Sequence, residues 1–117
     1  MAKELLTEEN ECSIVITTAS DRESARTIAG LLVEKRLAAC VQMFPIESVY
    51  LWKGEICAGN ETALFIKTTS ALLDKISQAI KENHAYEVPE IIQVPITGGL
   101  KEYLAWIGGC TANEFFS

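Results

Sequence analysis

The sequence predicts an α+β fold of the ferredoxin-like kind: βαββαβ with one further C-terminal helix and a long hairpin between the second and third strands. Three observations predict it. Two continuous apolar runs, SIVITT (13–18) and TALFIKTT (62–69), read as strands, and each precedes a stretch whose apolar residues recur every three or four positions. Between them a long strand-like stretch turns back near Lys53-Gly54. Finally, Pro45, Pro89 and Pro95 all avoid the two continuous runs. In this plan the strand order is 4-1-3-2, which makes strands 2 and 4 the edges, where a missing N–H costs little.

Each element has its own justification. The run 13–18 is β-branched and unbroken, as in a strand covered on both faces. After it, Ser20 and Glu23 stand at capping-box spacing, and Ala25, Ile28, Ala29 and Leu32 fall at i, i+3, i+4, i+7, so one helix face is apolar. Gly30 weakens that helix somewhat. Residues 37–52, LAACVQMFPIESVYLW, form the second strand, interrupted by Pro45. KGEICAGNE (53–61) supplies turn residues before the third strand. In the second helix, 70–83, Ser70 can cap and Leu73, Ile76 and Ile80 share a face. A strand at 90–96 lies between Pro89 and the end of the apolar run. Leu100, Tyr103, Leu104 and Ile107 then mark a short last helix that Gly108 and Gly109 can stop.

The second strand raises a question of association. It carries Val41, Met43, Phe44, Ile46, Val49, Tyr50, Leu51 and Trp52, an apolar edge broken only once by proline. A monomer must cover such an edge or accept open-ended pairing. Either the hairpin folds back over its own sheet, or the edge pairs with another copy of the chain.

Composition narrows the function classes. At 117 residues the chain is one domain, expected as a core over 12–110 between a flexible tail at 1–11 and a second tail at 111–117. Net charge −6 argues against nucleic acid or an anionic membrane as the main partner, and no apolar run is long enough to cross a bilayer. Cys12, Cys40, Cys57 and Cys110 are not spaced as C-x-x-C and have one histidine to serve them, so a structural zinc site is not expected. The first residues do not read as a secretory signal, so a cytoplasmic location without disulfides is expected. No phosphate-binding loop, nucleophile elbow or H-E-x-x-H is present. An acylphosphatase-like reading needs an Arg-bearing phosphate cradle after strand 1, where TTASDRES places acids beside Arg22. A Cys40–His84 nucleophile pair would set a mid-strand thiol in apolar surroundings, which raise a thiol pKa. An enzyme is not expected.

Three segments, EKRLAACVQMFPIESVYLWKGEI, ALFIKTT and HAYEVPEIIQVPI, together resemble the CutA divalent-cation tolerance family, from about Ser13 to Ile107. Leu37–Cys40, Pro45, Tyr50, Trp52 and Gly54 carry the pattern. The resemblance implies a ferredoxin-like subunit in a cytoplasmic homotrimer, with Phe44, Ile46, Val49, Tyr50, Leu51 and Trp52 in the interface, and a link to tolerance of copper and other divalent metals. Where the family commonly has His-Pro-Tyr, this chain has His84-Ala85-Tyr86. Thr17 and Asn83 stand where some members proposed to bind copper have Cys and His.

Two sites follow. For metal, His84 with Glu87 and Glu90 offers one imidazole and two carboxylates for Cu2+ or Zn2+, weakly bound, and a trimer can bring Cys40 to the boundary between subunits. The alternative is that His84 only finishes the second helix. For a small ligand, Lys67, Tyr86, Glu90, Tyr103 and Trp106 combine charge with aromatic walls, and no organic cofactor is implied. The alternative there is that Tyr103 and Trp106 only seal the last helix to the sheet.

Overall fold

The computed structural model describes residues 11–111, so the two expected tails lie outside the described residues except for Glu11 and Thr111. The elements are β1 (Cys12–Ala19), α1 (Arg22–Glu34), β2 (Cys40–Trp52), β3 (Glu55–Thr69), α2 (Leu73–Glu82), β4 (Ile91–Pro95) and α3 (Lys101–Thr111). The four strands form one antiparallel sheet in the order β2-β3-β1-β4, so the proline-bearing strands are indeed the edges.

Side-chain alternation divides the sheet into two unlike faces. Val15, Ala19, Leu64 and Ile66 point toward α1 and α2 and meet Ala25, Ile28, Leu32, Ile76 and Ile80 in the core. The opposite face carries Ile14, Ile16, Phe44, Phe65, Ile92 and Val94, and α3 lies against β1 and β3 at its Cys12 end. Phe44, Ile92 and Val94 remain 41–49% exposed there. The expectation that the first strand is covered on both faces is therefore corrected. Ile14 and Ile16 are only half-buried, because α1 and α2 both pack on the other side.

Helix α1 buries the four residues that its periodicity selects. Its cap is Asp21, not Ser20: the Asp21 carboxylate accepts the Ser24 N–H at 2.7 Å, which holds that carboxyl below its ordinary range. At its other end, Leu37 N–H reaches Leu32 O and Arg36 N–H reaches Val33 O, the paired bonds of a Schellman closure. Arg36 takes the left-handed conformation there, at φ 60°.

Three further expectations are corrected. Ser70 does not cap the second helix through its side chain; its hydroxyl bonds to Ser13, and a 3-10 turn over Ser70–Leu72 leads into α2. The last helix runs through Gly108 and Gly109 to Thr111. The burial of Ile107 and Thr111 outweighs the roughly 1 kcal/mol that each glycine costs. Residues 55–61 are strand, not turn. Only Lys53 and Gly54 turn, both at positive φ (52° and 81°), the geometry that matches strand twist in a two-residue hairpin. Pairing then continues unbroken from Trp52↔Glu55 to Cys40↔Lys67.

This register creates the most exposed feature of the molecule. β1 pairs with β3 only from Thr62 onward, so residues 46–52 and 55–61 form a ribbon with no third strand. At about 3.3 Å per residue it extends roughly 20 Å past the sheet. It explains the 53 Å long axis of the subunit.

Candidate functional site

Two clusters of chemically capable side chains flank the sheet, one at each end. The first centres on His84, just beyond α2. Asn83 ends that helix by donating its side-chain amide to Ala79 O at 2.8 Å, which turns the chain so that the His84 ring faces β1. Its Nε2 lies 2.6 Å from Thr18 O, and its Nδ1 accepts the Tyr86 N–H at 3.0 Å. With Nδ1 accepting, Nε2 carries the proton and donates to the carbonyl, so the ring is the neutral tautomer. The Tyr86 ring lies 4.6 Å from the imidazole, and its hydroxyl donates to Glu61 Oε2 at 2.9 Å. Glu61 Oε1 accepts from Ser48 at 2.7 Å. The result is a continuous chain from Ser48 on β2 through Glu61 and Tyr86 to His84 and β1.

The chain has an electrostatic signature. Partial loss of water, followed by the bond to Glu61 and its negative charge, pushes the Tyr86 phenol up to about 12. The sign follows directly: folding favours the neutral phenol. Its stabilising share is complete below the ordinary tyrosine value of 10.0 and disappears as pH rises through about 12. With the residue 37% exposed, solvent screens most of that share. A phenolate absorbance titration should therefore find one tyrosine ionising well after the others. Glu61→Gln should bring it only part of the way back, because the loss of water, the largest cause, remains. A Tyr86 that titrates with its fellows in the wild type contradicts this geometry.

The second cluster lies at the opposite end. Lys67 on β3 stands between Cys40 on β2 and Ile14 on β1. Its Nζ is 3.4 Å from the Tyr103 hydroxyl and 5.5 Å from the centre of that ring. Trp106 follows one helical turn later, its ring 5.5 Å from that of Tyr103 and tilted by 34°. Nearby Cys12 donates to Leu104 O, and burial pushes its thiol up, so it is a packed, unreactive group.

The sequence-derived sites separate accordingly. Lys67, Tyr103 and Trp106 come together, while Tyr86 and exposed Glu90 belong to the His84 end. Cys40 is half-buried and sits level with Ile14, whereas His84 bonds at Thr18, roughly 13 Å farther along β1 at ~3.3 Å per residue. One chain therefore makes no Cys40–His84 nucleophile pair. Among the described residues, no three His, Cys, Asp or Glu side chains gather as a metal would require. His84 has both ring nitrogens engaged, and Thr17, fully buried on β1, brings no soft ligand to that end of the sheet. Among the described residues, the donors of one chain thus do not fit a resident metal ion. Sequence reasoning missed Glu61 and Ser48. The only signal was a lone acid before an apolar strand, and its meaning depends on strand register.

Comparison with known proteins agrees with this fold. The family model described as CutA1 divalent ion tolerance protein matches residues 13–110. The divalent-cation tolerance protein CutA of Thermus thermophilus is 45% identical over 95 residues, covering 80% of this chain and 92% of the relative. The chloroplastic protein CutA of Arabidopsis thaliana is 43% identical over 101 residues, 86% of this chain but 56% of the plant protein, so the chain spans a little over half of that relative. The crystal structure of CutA1 from Oryza sativa superposes with a TM-score of 0.87 at 38% identity, covering 92% of this chain and 100% of that one. On the match of sequence and of fold over nearly its whole described length, this chain belongs to the CutA1 divalent ion tolerance protein family.

Proposed function

We propose that the chain acts as a cytoplasmic homotrimer linked to divalent-cation tolerance, copper in particular. The family is a non-enzymatic one. The observation that carries the assembly is the two-stranded ribbon, with Val49 74%, Leu51 70% and Ile56 81% exposed. An isolated hairpin is marginal in water, and an apolar one invites pairing. The half-covered sheet face with Phe44, Ile92 and Val94 supports the same reading, since both would leave water together. Four free thiols suit a reducing compartment.

Metal enters this reading as a weakly held visitor, Cu2+ or Zn2+. His84, Glu87 and Glu90 would be the donors once the 84–90 segment draws them together, since they do not gather in the lone subunit, and Cys40 reaches them only from a neighbouring copy. To bind, His84 has to release Thr18 O or the Tyr86 N–H, which lowers affinity further. Calorimetric titration of Cu2+ and Zn2+ into wild type and His84→Ala tests this. We expect binding no tighter than the micromolar range and at least about fivefold weaker in the variant. Identical isotherms for the two proteins remove His84 from any metal role.

A second reading, a trimeric module that binds a small ligand, is favoured by one observation. Lys67 holds a cation over an apolar sheet face and, among the described residues, meets only neutral groups.

A further inference from the structure

We propose that Lys67, Tyr103 and Trp106 form a seat for a small aromatic carboxylate. The inference rests on the second reading above and names its ligand class. Lys67 is half-buried on a central strand, flanked across the sheet by Cys40 and Ile14 and followed on its own face by Phe65. Here the ammonium has three donors, yet its partners are one phenol oxygen at 3.4 Å and the ring of that same tyrosine. Among the described residues no carboxylate forms an ion pair with it. The two remaining donors suit an acceptor that carries negative charge, because a charge-assisted bond is stronger than a neutral one.

The body of the ligand follows from the aromatic wall. Tyr103 and Trp106 stand three residues apart on α3, and both stay exposed, at 39% and 46%. Their rings are not folded onto the core: Tyr103 leaves surface beside the cation, and Trp106 extends that wall from the far side of Tyr103. A flat apolar ring stacks there while its carboxylate meets Lys67 Nζ and the Tyr103 hydroxyl. A bare acetate gains only the charge contact. Inorganic phosphate carries the charge but nothing to stack, and one lysine offers it no bidentate fork.

The experiment uses the full chain with 15N label, following the two tryptophan indole N–H signals while benzoate, acetate or inorganic phosphate is added. Benzoate should move the Trp106 signal saturably and spare Trp52, with a Kd on the order of millimolar for so few atoms. Acetate and phosphate should bind about tenfold more weakly or not measurably. Lys67→Met should abolish the benzoate response, and Lys67→Arg should keep it within about threefold. Should Lys67→Met fail to fold by circular dichroism, Tyr103→Leu, on the helix surface, replaces it with the same expected loss. If benzoate saturates equally on wild type and Lys67→Met, the seat is wrong, although small-ligand binding survives. If none of the three anions saturates on the wild type, the seat is overturned. A thermal-shift screen of other ligand classes then decides separately whether the small-ligand reading falls too.

Discussion

Replacing Leu51 and Trp52 together by lysine is expected to convert the proposed homotrimer into single chains at micromolar concentration. Both residues lie at the far end of the ribbon, 70% and 55% exposed in the lone subunit. Within the subunit they touch little that would be lost, so the fold of the sheet and helices should survive. Between copies the effect is large. Each side chain forfeits about 1.5–3 kcal/mol of burial, and each new ammonium must leave water without a partner. Two such changes on every ribbon should weaken association by at least about two orders of magnitude, since 1.4 kcal/mol is tenfold. Light scattering with in-line chromatography reads the result: the mass of three chains for wild type and of one for the variant. A wild type with the mass of one chain removes the homotrimer, and a variant that keeps the wild-type mass removes the ribbon as its cause.

The second large effect belongs to the core. Ile66 is fully buried in the half of β3 that pairs with β1, packed in the cluster that joins the sheet to α1 and α2. Ile66→Ala should cost about 2–5 kcal/mol, the transfer of the lost carbons plus the cavity left behind. That is a large part of the stability of a domain this size, commonly about 5–15 kcal/mol. Urea unfolding should show a lower midpoint with an unchanged slope. Ile56→Ala offers the contrast. That side chain is 81% exposed, so in a separated subunit the change should stay within about 0.5 kcal/mol. In the proposed homotrimer it should weaken association instead. If Ile56→Ala destabilises the separated subunit as much as Ile66→Ala does, the assignment of core and ribbon is reversed.

Part of this molecule was legible in the chain alone, where the controlling physics is local. Apolar period located α1, and the four residues that it selected are the four that are buried. Proline placement assigned the edges because a missing N–H is a property of one residue. The Lys53-Gly54 turn was visible for the same reason. Local signals failed where neighbouring groups competed for one role, where a turn imposed its register, or where a distant partner decided. Asp21 displaced Ser20 as cap because its carboxylate, not the neighbouring hydroxyl, meets the Ser24 N–H. Gly108 and Gly109 stayed helical because the sheet holds Ile107 and Thr111. The strand at 55–61 emerged because a tight turn propagates its register, whatever the composition that follows.

The sites divide along the same line. Residue type alone identified His84, Lys67, Tyr103 and Trp106 as chemically capable, since an imidazole or an ammonium has that capacity anywhere. Which of them meet was settled only by tertiary structure, because strand register and the crossing of α3 fix separations that spacing along the chain does not contain. That is why Glu61 joins Tyr86 and His84, twenty-odd residues away, while Cys40 stays at the other end of the sheet.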